Sequence, residues 1–261
     1  MKLSDISVIV VTENDGSRLN RCLESVTGFG EILVVDSFSS DETVAVARSH
    51  RALVFFRAQR DVVDQNNWAL KRVRHQWVLS LEPDDVVSHE LRRAIEAVEE
   101  PSRCAGYAVS FLNHYLGDRI RGGGLDGEPA VRLFDRDRGR FETSVDEIGR
   151  GTTIVLDGET EVVGGDLLRY RYQTIEDHVD AIQTSSTRRA RRAVEHGSRY
   201  TARWLPVLAL VAPPVAFFWD YFIRRGVLGG RRGFLFCLIR SYGVFLDHAK
   251  TWEALVTSKR G

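Results

Sequence analysis

The chain has 261 residues, enough to bury a sizeable core, and its 43% hydrophobic and 28% charged composition is that of a soluble globular protein, outside the range of disordered or fibrous chains. Its 36 basic and 36 acidic side chains cancel unevenly: residues 1–180 hold 22 Lys/Arg against 32 Asp/Glu, and residues 181–261 hold 14 against 4. An acidic body with a basic tail predicts two surfaces with different partners, and nucleic acid is not expected among them.

From the N-terminus, Ile6-Ser7-Val8-Ile9-Val10-Val11 is a strand-length, mostly β-branched run, the mark of a strand buried on both faces. After Asn14-Asp15-Gly16, the stripe Leu19, Cys22, Leu23, Val26 predicts an amphipathic helix with Ser17 as its cap. Ile32 to Val35 is the next buried strand, ending in Asp36; Ser39-x-x-Glu42 resembles a capping box opening a second helix. Leu53 to Phe56 predicts a third strand, residues 62–73 a third helix, and Trp77 to Leu81 a fourth strand. Strands alternating with helices at such intervals predict βαβ units and a mostly parallel sheet. A helix over 88–98 follows. Tyr107–Phe111 and Ala130–Phe134 then read as strands around the loop Gly122-Gly123-Gly124, residues 152–172 as further strand and turn, and Thr174 to His196 as a helix.

The last sixty residues are of another kind. Trp204 to Trp219 is apolar without a charge, but Pro206, Pro213 and Pro214 interrupt it and Asp220 closes it, short of the roughly 20 residues that span a bilayer. Arginines flank it and a second apolar stretch, Gly233 to Leu246. Basic residues beside Trp- and Phe-rich helices predict a segment lying on an anionic membrane surface. The competing reading is a helical pair packed on its own domain. Cys22, Cys104 and Cys237 are odd in number and far apart, which fits small buried hydrophobes in a reducing compartment. With only a strand-length first apolar run, the expected location is the cytoplasm.

Four polar clusters fall in the βα regions: Thr12-Glu13-Asn14-Asp15, Asp36 through Asp41 with Ser37 between, Gln65-Asn66-Asn67, and Glu82-Pro83-Asp84-Asp85. In an open α/β sheet such clusters converge on one crevice. No GxGxxG follows the first strand and no GxxxxGK[ST] exists, so dinucleotide and P-loop fingerprints are absent. Three acids crowded after one strand repel one another unless a cation or donors from a ligand balance them. A nucleotide whose diphosphate is held through Mg²⁺ or Mn²⁺ suits these hard oxygen ligands. The bland alternatives are strand ends, helix caps and a solvated turn.

The segments I-S-V-I-V-V-T-E-N (6–14), E-I-L-V-V-D-S-F-S-S-D-E-T (31–43), Q-N-N-W-A-L (65–70), W-V-L-S-L-E-P-D-D (77–85), V-R-L-F (131–134), F-E-T-S-V-D-E (141–147), G-D-L-L-R-Y (165–170) and G-V-L-G-G-R-R-G-F (226–234) together resemble the family 2 glycosyltransferases. Within them the chain resembles the small bacterial branch that includes lipopolysaccharide core β-1,4-glucosyltransferases. The resemblance runs in order along nearly the whole chain. It implies a GT-A fold over residues 1–180, with 181–261 a basic helical tail, and inverting transfer of a sugar from a nucleotide-sugar, a UDP-sugar, to a lipid-linked or cell-envelope glycan acceptor. It implies donor contacts from Thr12, Asn14, Asp36, Ser37, Asp41, Gln65 and Asn67, and a divalent metal on Asp84 and Glu82 with Asp85 beside them. Glu147, with Asp146 next to it, falls on the acid of a V-H-E motif and is the implied general base. The enzyme would sit on the inner face of the plasma membrane.

Departures from the pattern carry chemistry of their own. Glu82 replaces the first acid of D-x-D, Asp146 replaces a His, and Glu13 and Asn66 stand where the branch has lysines. A phosphate-rich donor meets less positive charge there and more weight falls on the metal. The rival readings are a catalytically weak nucleotide-sugar-binding protein or scaffold, and a nucleotidyltransferase, for which the Gly-rich triphosphate loop is missing.

Overall fold

The structure, a computed structural model, describes residues 1–58, 61–99, 102–125, 128–144, 151–196 and 203–257. The described residues cluster into two compact units. Residues 1–112, 128–144 and 151–170 belong to the first, and residues 113–125 and 171–257 to the second.

The first unit is built on a sheet. Strands β1 (Ile6–Thr12), β2 (Glu31–Asp36), β3 (Leu53–Phe56) and β4 (Trp77–Leu81) run parallel in the order β3-β2-β1-β4. The right-hand crossovers are helices α1 (Gly16–Ser25), α2 (Thr43–Ser49) and α3 (Val62–Leu70). Beyond β4 the sheet continues through β8 (Ala130–Asp135), β6 (Gly106–Tyr115), β11 (Thr160–Tyr172) and β5 (Asp85–Val87), with β8 antiparallel to both β4 and β6 and β5 antiparallel to β11. Helix α4 (His89–Glu96) follows β5, and β9 (Gly139–Ser144) with β10 (Gly151–Leu156) form a separate hairpin.

Burial explains the β-branched runs. Along β1, Ile6, Val8 and Val10 join one core with Leu19, Cys22 and Leu23 of α1, while Ile9 joins a second with Ala69 and Leu70 of α3. Alternate side chains thus serve opposite faces, both covered, and each fully buried Ile, Leu or Val contributes about 1.5–3 kcal/mol relative to exposure. Helix starts differ from expectation. Ser17 lies inside α1, whose N-cap residue is Asp15, and the Ser39/Glu42 box does not form, because Ser39 is already bonded to Asp36. The third helix stops at Leu70, short of 73.

The second unit holds α5 (Ile175–His196), α6 (Leu205–Phe218) and α7 (Gly230–Thr257), with the two-residue β7 (Asp118–Arg119) paired to the end of β6. Its small core centres on Tyr115, Ile120, Phe236 and Cys237. Within it His178 is buried, its ring stacked between Tyr172 (4.3 Å) and Phe236 (5.0 Å) with Nδ1 3.1 Å from the Tyr115 hydroxyl. Burial, then the charge of Arg240, pushes His178 down to about 4; burial, then Tyr172, pushes Tyr115 up to about 12. The glycine loop is required here: Gly122 has φ +73°, and a Cβ on it would lie 2.2 Å from the Arg225 carbonyl oxygen. Helical structure runs from α6 through Trp219–Ile223, past the Asp220 that the sequence suggested as its end, giving a 19-residue stretch long and apolar enough to cross a membrane by length and composition.

Candidate functional site

Strand register sets the geometry of the site. Thr12 at the end of β1 pairs with Asp36 at the end of β2, and Val10 pairs with Leu81, so Glu82 leaves β4 at nearly the same level. Three of the four polar clusters therefore emerge side by side at the carboxyl edge of the parallel strands, where open α/β sheets bind ligands.

At the first two strand ends the side chains organise the backbone. Asp36 is fully buried and accepts from the Ser39 amide at 2.9 Å and from its hydroxyl. Thr12 donates to Asp15 (3.2 Å), and Asn14, in the left-handed region at φ 54°, accepts from the Ser40 amide (2.9 Å). Asp41 accepts from the Gly16 and Thr43 amides and the Thr43 hydroxyl. Although burial works against it, those hydrogen bonds hold Asp41 below the usual carboxylate range. Asp41 thus ties the starts of α1 and α2 together. Between these polar groups Phe38 projects outward, 64% exposed at φ 63° and stacked on Phe56 with ring centroids 5.9 Å apart. An exposed bulky aromatic in a backbone region favouring glycine, beside the strand-end polar groups, was not singled out from sequence.

The Gln65–Asn67 cluster lies within α3, turned toward the protein. Gln65 is fully buried and donates to the Ser37 hydroxyl (3.0 Å) and the Arg57 carbonyl (2.9 Å). Asn67 exchanges two hydrogen bonds with the Phe141 backbone (2.8 and 3.0 Å). In these bonds Gln65 and Asn67 hold α3 against its neighbours. Asn66 donates to the Val62 carbonyl of its own helix (2.9 Å).

The acidic knot after β4 is a tight turn, closed by the Asp85 amide on the Glu82 carbonyl (3.0 Å), with Pro83 at the position where its fixed φ is preferred. Asp85 opens β5, and the β5–β11 register puts Arg169 directly opposite. The guanidinium grips Asp85 through both oxygens, Nε–Oδ1 2.8 Å and Nη2–Oδ2 3.1 Å, and Oδ2 also accepts the Glu82 amide (3.0 Å). Glu82 Oε1 sits 3.2 Å from Arg169 Nη2 and 3.3 Å from Nη2 of Arg132 on β8. Both guanidiniums lie over the ring of Phe111, at 4.4 and 5.3 Å from its centroid. Side-chain exposure is 0% for Asp85, 11% and 14% for the two arginines, and 40% for Glu82. Asp84 is buried beside them, and its carbonyl accepts the Tyr170 amide (2.9 Å). Burial pushes the neighbouring Cys22 thiol well above its ordinary value, with Asp85 and Asp84 adding to it, so Cys22 stays a neutral filler.

These contacts sort the expected metal ligands. The carboxylates of Glu82 and Asp84 are hard oxygen donors that fit Mg²⁺ or Mn²⁺. Asp85 is fully buried, with both of its oxygens engaged by Arg169 and a backbone amide. Among the described residues no three His, Cys, Asp or Glu side chains close around one point. Asp146 and Glu147 lie outside the described residues. Arg132 and Arg169 were not singled out from sequence although both stood in quoted segments; for Arg132, an arginine between the apolar residues of a short strand was the available signal, since arginine is rarely buried unless paired.

Comparison with known proteins bears on what this edge does. The sequence profile "Glycosyl transferase family 2" matches residues 7–152, more than half of the chain. An uncharacterized glycosyltransferase of Rickettsia typhi is 26% identical over 98% of this chain and 90% of its own length. The lipopolysaccharide core biosynthesis glycosyltransferase LpsC of Rhizobium meliloti is 25% identical over 95% of this chain and 92% of its own. Among solved structures, Staphylococcus aureus TarS 1–349 in complex with UDP is 14% identical with a TM-score of 0.45, covering 100% of this chain and 92% of that one. The Pyrobaculum calidifontis mannosyltransferase in complex with GDP-Man and Mn²⁺ is 16% identical, also at 0.45, covering 98% and 87%. With its parallel strands ending level on an acidic edge and the profile spanning all four of those strands, the chain belongs to glycosyl transferase family 2 and has its GT-A-like α/β fold.

Proposed function

We propose that the protein is an inverting glycosyltransferase that moves a sugar from a UDP-sugar to a lipid-linked or lipopolysaccharide-type cell-envelope acceptor. The observation that carries this reading is the level exit of Thr12, Asp36 and the Glu82–Asp85 turn from adjacent parallel strands. The kinship with LpsC supports the envelope acceptor.

In the reaction, the acceptor hydroxyl attacks the anomeric carbon on the face opposite the nucleotide, the glycosidic bond to the diphosphate breaks, and configuration inverts. Glu147 takes the hydroxyl proton as general base, a role worth about 10²–10⁴-fold in rate. Asp84 and Glu82 are the groups that hold a divalent cation, which when bound supplies positive charge to the departing diphosphate. Asp36 and Asn14 fix the loop that faces the nucleoside. The exposed apolar side chains of the second unit, with arginines near them in sequence, support a seat on the anionic inner face of the plasma membrane.

The test is release of nucleoside diphosphate from a panel of nucleotide sugars with Mn²⁺, with and without acceptor extracts. Turnover is expected to fall by about 10²-fold or more in Glu147→Gln, the range of a lost general base, and to vanish in Asp84→Ala or with chelator. If chelator and Asp84→Ala both leave turnover unchanged, the metal assignment is wrong. Tight donor binding with no turnover on any acceptor makes the protein a nucleotide-sugar-binding scaffold instead.

A further inference from the structure

Three carboxylates and two guanidiniums meet after β4, and their exposures are unequal. Asp85 is sealed beneath Arg169 as a bidentate partner, whereas Glu82, 40% exposed, brings its Oε1 to Nη2 of both Arg132 and Arg169 at 3.3 and 3.2 Å. Both guanidiniums lie over the ring of Phe111, which packs against them from one side. Arg169 already commits its Nε and Nη2 fork to Asp85, so what converges on Glu82 is one Nη2 from each of two guanidiniums, and arginine is the side chain suited to recognising an anionic oxygen such as phosphate's. The outermost acid on that pair is therefore a stand-in anion on a seat shaped for a stronger one.

We propose that Arg132 and Arg169 are the seat for the donor's diphosphate and that Glu82 is its placeholder. Resting on the donor reading above, the exchange is wholly non-covalent. Diphosphate oxygens take over the guanidinium N–H donors that Glu82 Oε1 occupies, and the released Glu82 carboxylate turns to the divalent cation beside Asp84. The two arginines supply the positive charge that a lysine would have brought at position 13. Because one carboxylate cannot serve the guanidiniums and a cation equally well, metal and diphosphate bind cooperatively. By linkage each raises the other's affinity by the same factor.

The experiment uses the full chain and titrates Mn²⁺ alone by electron paramagnetic resonance, UDP or GDP alone by calorimetry, and each in the presence of the other. For the wild type, nucleoside diphosphate is expected to tighten Mn²⁺ by about tenfold or more, within the usual range of site–site coupling. Arg132→Gln is expected to weaken metal-free diphosphate binding by about tenfold or more, as loss of a charge-assisted hydrogen bond does, yet to tighten Mn²⁺ measured alone. Glu82→Gln, an exposed and isosteric change safe for folding, is expected to tighten metal-free diphosphate and erase the cooperativity. Opposite signs on the two ligands distinguish a seat from a structural prop, which would weaken both. Wild-type diphosphate affinity in Arg132→Gln, or weaker diphosphate binding in Glu82→Gln, overturns the proposal while leaving the donor reading intact. Failure of the wild type to bind any nucleoside diphosphate overturns the donor reading and the seat with it.

Discussion

The two units of the molecule distribute polarity in opposite ways. In the first, apolar side chains such as Val8, Ile9 and Leu79 are fully buried, and charge is gathered at the strand ends. In the second, Trp204, Leu210, Phe218, Trp219 and Phe222 are each more than half exposed, while Asp220 and His178 are buried. The first arrangement is that of a domain whose core is complete and whose polar edge awaits a polar ligand. The second leaves a contiguous run of helix with its apolar groups outward and its charges turned in, the inversion expected where the outside partner is itself apolar. Asp220 sharpens the contrast: ion pairs to Arg224 (3.5 Å) and Arg240 (3.2 Å) satisfy it inside the unit, so the helix exposes no acid along that stretch.

Breaking the buried pair in the first unit is expected to have the largest effect on stability. Arg169→Met strands the Asp85 carboxylate, which is 0% exposed, and removal of one member of such a pair costs about 3–5 kcal/mol. Urea unfolding checks this, and adding Asp85→Asn to the same chain should recover a large part of the loss. A double variant no more stable than the single one would mean that the guanidinium acts through Phe111 and Glu82 rather than through the buried carboxylate.

In the second unit the buried ionisable group is neutral, so its effect appears on acidification. His178 is held at about 4 against an ordinary 6.5, so between these values the unfolded chain binds a proton that the folded chain refuses. Stability is therefore complete above pH 6.5 and falls as pH drops toward 4, by about 3 kcal/mol from this group alone. His178→Phe keeps the stacking on Tyr172 and Phe236 and should remove that component of the slope in unfolding measured between pH 6.5 and 4. An unchanged slope would place the acid sensitivity elsewhere.

The outward apolar face is tested with liposomes. The full chain is expected to float with anionic vesicles, less so as salt screens the arginines, and a chain ending near residue 200 is expected to stay in solution. Equal flotation by the shortened chain would remove the tail from the membrane account.

What could be read from sequence follows the range of the interactions. The fourth strand was legible to the residue, because Trp77–Leu81 is a local pattern bounded by polar residues, and the level of the strand ends follows from parallel βαβ order. The helix caps were misread for a near-range reason: Ser39 had a stronger competitor in the fully buried Asp36 than in a helix start. Gln65 and Asn67 show that a polar run in a helix does not disclose which neighbour it faces. The partners of Glu82 lie 50 and 87 residues away on antiparallel strands, and nothing in the local pattern announces their pairing. The extent of the apolar helix was underestimated because Asp220 looked like a terminus, whereas its pairing with arginines allows helical structure to pass over it.

The smallest expected effect concerns Phe38. Its φ of 63° costs a non-glycine residue roughly 1–2 kcal/mol, a strain that the surrounding loop must hold. If that strain only reflects local geometry, Phe38→Gly should be stabilising by up to about 1 kcal/mol and otherwise silent. The 64% exposure and the stacking on Phe56 argue for use of the ring, since an exposed aromatic held against its backbone preference gains nothing from packing alone. The expected result is a gain in stability with a several-fold loss in donor affinity and little change in turnover at saturation. Unchanged donor affinity would assign the aromatic pair to the acceptor side of the crevice or to no ligand, and would leave donor binding to the polar and charged groups of the first unit.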